Sequence, residues 1–246
     1  MAAILQPTFE TLIDLVYPPH CAGCGVAMPS GAGQAAGKWL CEKCEGDIRR
    51  LDGPKCAICS RPYEGAIDFF ACPNCRGEAL HLEFAVAVVH AKGLARELIH
   101  RFKYGREFHL RRVLGDWLVE AFEDARLAEM KEIRLVPVPL HPVRLRERKF
   151  NQAEALAEWA SRRLSVRMER PLRRKLHTVT QTQFDRRQRM RNLRDAFALR
   201  HNADVKDKSF LLVDDVLTTG STLDECARVL LEGGACSVRA ITVARG

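Results

Sequence analysis

The sequence has 246 residues and lacks any apolar run of the ~18 residues that a membrane-spanning helix requires, so it predicts no membrane span. It also lacks the features of a secretory signal, because no basic cluster opens the chain and Glu10 and Asp14 interrupt its first apolar stretch. Charged residues make up 28% and apolar residues 47%, which excludes collagen, wholesale disorder and a membrane bundle. We therefore expect a globular protein of the reducing cytoplasm, where cysteines favour metal over disulfides.

Large aliphatic residues are scarce between residues 21 and 77, so this segment cannot build an ordinary hydrophobic core. Another interaction, such as a bound metal ion or a disulfide, must stabilise its fold. Eight of the ten cysteines lie here, and each belongs to a Cys-x-x-Cys pair. The four pairs are Cys21 and Cys24, Cys41 and Cys44, Cys56 and Cys59, and Cys72 and Cys75. Each pair points two thiolates at one tetrahedral centre, and two pairs complete a closed four-cysteine zinc site. The sequence therefore predicts two structural Zn²⁺ ions.

The spacing leaves the grouping of these cysteines open. Two ribbons in sequence, built from the first four and the last four cysteines, fit the spacing directly, and an interleaved cross-brace needs the same eight residues. A thioredoxin-like redox role would need one pair beside a βαβ unit, and the sequence predicts none there. An iron–sulfur cluster is also less favoured, because four thiolates in regular pairs suit zinc well. His20, next to Cys21, is expected to be a bystander. Cys226 and Cys236 are expected to be buried as small apolar residues.

The chain changes character at Phe84, where strand and helix patterns begin to alternate. Strands are predicted at 84–90, 135–138, 210–213 and 237–243, and helices at 94–102, 109–130, 152–165 and 222–232. Such alternation indicates an α/β domain with a parallel sheet. We expect residues 1–78 to hold a short helix (residues 1–20) and the zinc ribbons, and residues 79–246 to form the α/β domain.

A strand, two carboxylates and a hydroxyl-rich loop follow one another between residues 210 and 222. Asp214 and Asp215 come at the end of the apolar strand, where open parallel sheets bind their ligands. The loop consists of Thr218, Thr219, Gly220, Ser221 and Thr222. Its backbone N–H groups can converge on a phosphate at the start of the next helix, and Gly220 permits close approach. The aspartates can accept hydrogen bonds from sugar hydroxyls or hold Mg²⁺, so the segment predicts a 5-phosphoribosyl site.

This segment resembles the motif of type I phosphoribosyltransferases that binds phosphoribosyl pyrophosphate (PRPP), in which two acidic residues precede a T-T-G-x-[ST] loop. The resemblance implies that Asp214 and Asp215 are the catalytic pair and contact the ribose hydroxyls of PRPP, with Mg²⁺ as cofactor. It also implies that the loop of residues 218–222 holds the 5-phosphate.

The positive charge of the chain is concentrated in its middle. Lys and Arg number 39 against 31 Asp and Glu, and residues 134–200 alone carry 18 against 6, a local net of +12. An acidic ligand such as phosphate, pyrophosphate or nucleic acid is expected to dock there. Arg144, Arg148 and Lys149 follow the predicted strand at 135–138 and are the candidates for binding pyrophosphate. The basic stretch at 170–194 is predicted to be a mobile loop that closes over substrate.

Several motifs together resemble the ComF family, whose members are similar to competence protein F. They are Y-P-P-H-C-A-G-C-G, V-P-V-P-L-H-P with the following F-N-Q-A, T-x-T-Q-T with a later R-N-x-x-x-A-F, and V-D-D-V-L-T-T-G-S-T. The resemblance covers residues 8–245 and implies a double zinc ribbon followed by a type I phosphoribosyltransferase domain. Lys149 stands where the family usually has glycine, which changes the backbone freedom beside the predicted pyrophosphate site.

Two functions are consistent with these features. The first is pentosyl transfer from PRPP to an acceptor that the sequence does not identify. The second is a non-catalytic or PRPP-regulated role in handling single-stranded DNA, with competence-machinery proteins as further partners, as the family resemblance implies for natural transformation. The basic middle segment is compatible with phosphate-backbone binding, although it contains few aromatic residues for base stacking: Phe150, Trp159, Phe184 and Phe197.

Overall fold

The computed structural model describes residues 19–29, 39–64, 72–128, 132–176 and 193–246. In chain order its helices and strands are α1 (Glu42–Gly46), β1 (Ala85–His90), α2 (Gly93–Tyr104), α3 (Arg111–Glu120), α4 (Ala125–Ala128), β2 (Arg134–Pro137), α5 (Pro142–Arg148), α6 (Gln152–Leu164), β3 (Arg167–Met168), β4 (Leu172–Arg174), β5 (Phe197–Leu199), β6 (Ser209–Leu217), α7 (Ser221–Glu232) and β7 (Ser237–Arg245). Two 3₁₀ turns, Phe108–Leu110 and Ala121–Glu123, flank α3.

Five strands form a parallel sheet in the order β1-β7-β6-β2-β3, so β6 is the central strand. Its residue Val213 is paired with Pro137 of β2 and Ile241 of β7. The apolar run from Phe210 to Val213 is fully buried, as expected for a strand covered on both faces. The predicted α/β class with a parallel sheet is confirmed.

The cysteine region contributes to both faces of this sheet. We call Cys21, Cys24, Cys41 and Cys44 the first cysteine group, and Cys56, Cys59, Cys72 and Cys75 the second cysteine group. Successive side chains of a strand point to opposite faces. Leu211 and Val213 therefore pack in a layer with α2, α3, α6 and members of the first group. Phe210 and Leu212 pack in the opposite layer with α7 and the whole second group.

The predicted helix at 109–130 is present as α3, but it is not continuous, because the chain is broken after α3 into a 3₁₀ turn and α4. Asp124 is the residue that interrupts it, with an extended backbone at φ −66° and ψ 116°. Its carboxylate accepts a hydrogen bond of 3.1 Å from the backbone N–H of Arg126 and so starts α4. Aspartate favours such a local bond over the helix interior, which explains the break.

Three further differences concern the region of the predicted site. Helix α5 was not expected, and neither was the antiparallel pair of β4 and β5. The strand before the hydroxyl-rich loop is also longer than the predicted 210–213. Strand β6 continues to Leu217 and includes both Asp214 and Asp215.

Some predictions fall outside the described residues. These are most of the N-terminal helix at 1–20 and the greater part of the predicted closing loop, including residues 177–192. The domain boundary between residues 78 and 79 and the cytoplasmic location stay predictions. Among the helices of the described ranges, none combines the length and the apolar character needed to cross a bilayer.

Gly115 permits the close packing of α3 on α6, because a Cβ atom at this position would lie 2.7 Å from Cγ of Trp159. Replacing a helical glycine by alanine ordinarily stabilises a protein by up to ~1 kcal/mol, whereas overpacking costs ~1–3 kcal/mol. We expect Gly115→Ala to lower the free energy of unfolding in urea by about 1–2 kcal/mol. Gly46→Ala is the control, since its Cβ would have no neighbour within 4 Å. Unchanged stability of Gly115→Ala would contradict this account of the helix contact.

Candidate functional site

The eight paired cysteines form two clusters in sequence order, so the interleaved grouping is excluded. Within each cluster the sulfur atoms all lie within 4.8 Å of one another. The Sγ atoms of Cys24 and Cys41 are 3.8 Å apart, and those of Cys59 and Cys72 are 3.6 Å apart. Thiolates at ~2.3 Å from a tetrahedral zinc ion lie about 3.8 Å from each other, so both clusters fit Zn²⁺.

The two clusters differ in burial. All members of the second cysteine group are buried, whereas Cys24 of the first group is exposed. His20 is exposed and lies outside both clusters, in agreement with the expectation that it is a bystander. Cys226 is buried as predicted, but the prediction for Cys236 is wrong. Cys236 lies just before β7, where its side chain is exposed rather than packed against α7.

The two candidate catalytic carboxylates leave β6 on opposite faces, because they are consecutive residues of one strand. Asp215 is buried and forms an ion pair of 2.7 Å with Nζ of Lys103, at the end of α2. Asp214 is half-buried, and one of its carboxylate oxygens accepts a hydrogen bond of 2.9 Å from the Asp215 N–H. The carboxylates therefore flank the carboxyl-terminal part of the central strand instead of facing each other.

Electrostatic interactions around Asp214 involve several elements. Burial and the charge of Asp215 raise the pKa of Asp214 to about 7, while Lys103 and Arg148 act in the opposite direction. Arg174, at the end of β4, is also close enough for the charge of Asp214 to affect it, although burial lowers the pKa of this arginine. The site thus contains a carboxyl group that changes charge near neutral pH, surrounded by cations.

The predicted phosphate loop joins β6 to α7. Gly220 is the N-cap of α7 and has φ +82°, a left-handed conformation that side chains disfavour. Thr219 Oγ1 lies 3.0 Å from Ser221 Oγ, and Thr218 is exposed while Ser221 is buried. Among the described residues, none accepts a hydrogen bond from the Gly220 N–H. The loop therefore offers a free backbone donor and hydroxyl groups at the positive end of a helix. Thr222 follows in the first turn of α7.

The three candidates for pyrophosphate binding differ in their surroundings. Arg148 donates hydrogen bonds to Gln152 (3.0 Å) and to the hydroxyl of Tyr104 (3.2 Å), which places it beside the end of α2. Arg144 instead forms a surface ion pair of 3.2 Å with Glu147. Lys149 is exposed and caps α5 in a left-handed conformation, with φ +70°. A glycine would adopt this backbone without strain, which explains the preference of the family noted above.

Sequence reasoning missed several residues that the fold brings to this site. Lys103 is the partner of Asp215, and Tyr104 is 55% exposed and stacks under the guanidinium of Arg148 at 5.0 Å from its ring centre. Arg174 falls in the predicted closing loop at 170–194, but it lies at the end of strand β4, where the charge of Asp214 acts on it. Each is distant in sequence from Asp214, and no local pattern distinguishes these cations from the other lysines and arginines of the chain.

Comparison with known proteins agrees with this architecture. Residues 12–76 match the family profile described as a double zinc ribbon domain, and residues 151–246 match that of a phosphoribosyl transferase domain. Competence protein F of Haemophilus influenzae is 31% identical over 212 residues, which cover 84% of this chain and 90% of that protein. The chain belongs to the competence protein F family.

Other members of the ComF family have similar coverage. DNA utilization protein YhgH of Escherichia coli (strain K12) is 32% identical over 209 residues, 83% of this chain and 90% of that protein. Competence protein ComFC of Bacillus subtilis (strain 168) is 28% identical over 214 residues, 84% of each chain. The similarity therefore spans both the cysteine region and the α/β domain.

We expect Asp214→Asn to raise the free energy of unfolding at about pH 8 by about 2 kcal/mol, because ionising this carboxyl in the folded state is unfavourable. The folded state binds more protons than the unfolded state from the ordinary pKa of aspartate up to about 7, so wild-type stability falls as pH rises through that window. Denaturant unfolding at about pH 4 and about pH 8 measures the effect.

The control for this experiment is Asp204→Asn, at an exposed carboxylate that pairs with Lys208 on the surface. It should change the stability little at either pH. The assignment is contradicted if Asp214→Asn stabilises the protein equally at both pH values, since the gain would then not come from ionisation.

Proposed function

We propose that the protein binds PRPP at the carboxyl-terminal end of β6. The observation that carries the proposal is that Asp214, Asp215 and the loop at Thr219 and Gly220 follow one another at the end of the central strand of a parallel sheet. Open parallel sheets bind ligands at this position, and a left-handed glycine before a helix suits a phosphate. The match to a phosphoribosyl transferase domain over residues 151–246 supports the same site.

Each part of PRPP has a candidate partner in this arrangement. The backbone donors and hydroxyl groups of residues 218–222 would hold the 5-phosphate. Asp214 and Asp215 would accept hydrogen bonds from the ribose hydroxyls, and carboxylate oxygens also suit the Mg²⁺ ion that accompanies PRPP. Arg148 is the best placed of the three pyrophosphate candidates, because its charge acts on Asp214 and it lies beside Tyr104.

The reaction that this site favours is pentosyl transfer. The bond between C1 of the ribose and the pyrophosphate oxygen would break, and C1 would form a bond to an acceptor nucleophile that loses a proton. The bonding pair would leave with pyrophosphate, so the cations around the site would stabilise the charge that develops there. Lys103, which pairs with Asp215, and Arg148, beside Tyr104, would take this role.

Calorimetric titration of PRPP with Mg²⁺ tests the proposal. We expect binding to the wild type and at least ~10-fold weaker binding to Asp215→Asn, a loss of about 1.4 kcal/mol, because a hydrogen-bond acceptor for the ribose is weakened. Asp204→Asn is the matched control and should bind like the wild type. Thermal unfolding of each variant separates loss of the site from loss of the fold. Absence of binding to the folded wild type would refute the proposal.

A second candidate function is the binding of single-stranded DNA. It is favoured by Tyr104, a largely exposed ring whose centre lies 4.8 Å from that of the tilted His100 ring and whose face lies under Arg148. Exposed aromatic rings beside arginine are the features that stack nucleic-acid bases without sequence preference. Two of the relatives are named competence proteins and one is named a DNA utilization protein, which is compatible with such a ligand.

Fluorescence anisotropy with a labelled single-stranded oligonucleotide tests this function. Tyr104→Ala should weaken binding about 10-fold and leave the salt dependence unchanged, because it removes a stacking ring and no charge. Tyr104→Phe retains the ring, loses only the hydroxyl that accepts from Arg148, and should bind nearly as the wild type. Equal binding by the wild type and Tyr104→Ala would show that bases do not stack at this position.

A further inference from the structure

The second cysteine group is in direct contact with the predicted phosphate loop. Asn74 lies in the turn between Cys72 and Cys75, and only 9% of it is exposed. Its side-chain amide donates a hydrogen bond of 3.3 Å to the backbone carbonyl of Thr219. One buried amide therefore connects the cysteine cluster with the loop.

This hydrogen bond fixes the orientation of one peptide unit. The carbonyl of Thr219 and the N–H of Gly220 belong to the same planar peptide and point in opposite directions. Holding the carbonyl towards Asn74 therefore turns the Gly220 N–H away from the ribbon. That N–H is the free donor described above, so Asn74 orients the loop atom best suited to an incoming phosphate.

A second connection holds the start of the loop. Arg245, at the end of β7, is buried, and its Nε donates a hydrogen bond of 3.0 Å to the carbonyl of Cys59. Its Nη1 donates one of 2.9 Å to the carbonyl of Leu217, the last residue of β6. The segment between Leu217 and Thr219 is thus attached to the second cysteine group at both ends.

The first cysteine group has a different attachment. Its Cys-x-x-Cys turn is held by Arg101 of α2, which donates a hydrogen bond of 3.0 Å to the carbonyl of Ala22. This contact lies on the opposite layer of the sheet from the second group. The two groups are therefore not equivalent with respect to the phosphate loop.

We propose that the second four-cysteine site positions the phosphate loop, and that Asn74 is the positioning residue that couples the two. An intact second site holds Asn74 in place, and Asn74 in turn presents the Gly220 N–H to a phosphate. Because coupling between two sites is reciprocal, a phosphorylated ligand on the loop also stabilises the second site. The ligand part of this inference rests on the proposed function, whereas the link between cysteine site and loop does not.

Hydrogen exchange of the zinc-loaded protein tests the link without any ligand. We expect Asn74→Ala and the isosteric Asn74→Asp to increase amide exchange in the peptide spanning residues 217–223 by about fivefold, the effect of losing one hydrogen bond. Zinc content is measured in parallel and should stay at the wild-type value.

The matched control is Ser60→Ala. Ser60 is fully buried next to Cys59, and its hydroxyl donates a hydrogen bond of 2.8 Å to the carbonyl of Ala85 in β1. Ser60→Ala removes this bond and the one of 3.3 Å that the hydroxyl accepts from the Ala87 N–H. Both join the same ribbon to the sheet, and the bond to the loop is kept. Loop exchange should stay at the wild-type rate in this variant. Equal loop exchange in Asn74→Ala and the wild type, or an equal increase in Ser60→Ala, would overturn the proposal.

A zinc-release assay tests the reciprocal effect. The probe is ribose 5-phosphate, which carries the 5-phosphate but no pyrophosphate that would itself chelate zinc. Saturating ribose 5-phosphate should slow the release of one of two zinc ions to a colorimetric chelator in the wild type, but not in Asn74→Ala. Bound ligand without this protection would count against the coupling. Absence of ribose 5-phosphate binding to the wild type would instead contradict the assignment of the loop to the 5-phosphate, and the exchange experiment would still decide the link.

Discussion

Burial of the central strand β6 on both faces is the constraint on which the rest of the structure depends. A strand of this kind needs a complete apolar layer on each side, and each layer here includes one of the two cysteine groups. The cysteines of the zinc ribbons therefore form part of the hydrophobic core on each face of the sheet. Because the candidate site lies at the end of β6, the same packing that buries Phe210 and Val213 also determines where Asp214, Asp215 and the loop are placed.

The candidate site combines groups that oppose folding with groups that offset them. Asp214 has a pKa raised to about 7 by burial and by the charge of Asp215, so its ionised form is unfavourable in the folded protein. Lys103 partly compensates by pairing with Asp215, at the boundary between α2 and the sheet. Such an arrangement is typical of functional sites. A buried ionisable group there lowers the free energy of unfolding but provides a charged group where a ligand binds.

Features with a local pattern could be predicted from the sequence, and contacts between distant segments could not. The buried run at Phe210–Val213 and the regular cysteine pairs each depend on neighbouring residues, and the structure agrees with both. The contact of Asn74 with Thr219 joins residues 145 positions apart, and only the fold brings them together. The error at Cys236 has the same origin, because burial of a lone cysteine depends on its tertiary neighbours.

The arrangement of the two layers also bears on the predicted boundary between residues 78 and 79. A chain that began at residue 79 would lack the second cysteine group, which packs in one cluster with Leu82, Leu217 and Leu223. It would also leave Nε of Arg245 without its acceptor at Cys59, and a buried donor without a partner is costly. The predicted boundary therefore separates the cysteine motifs from the motifs of the α/β domain. It does not separate two hydrophobic cores, because residues on both sides of it pack in one cluster. The position of the loop therefore depends on hydrogen bonds from both parts of the chain, through Asn74 on one side and Arg245 on the other.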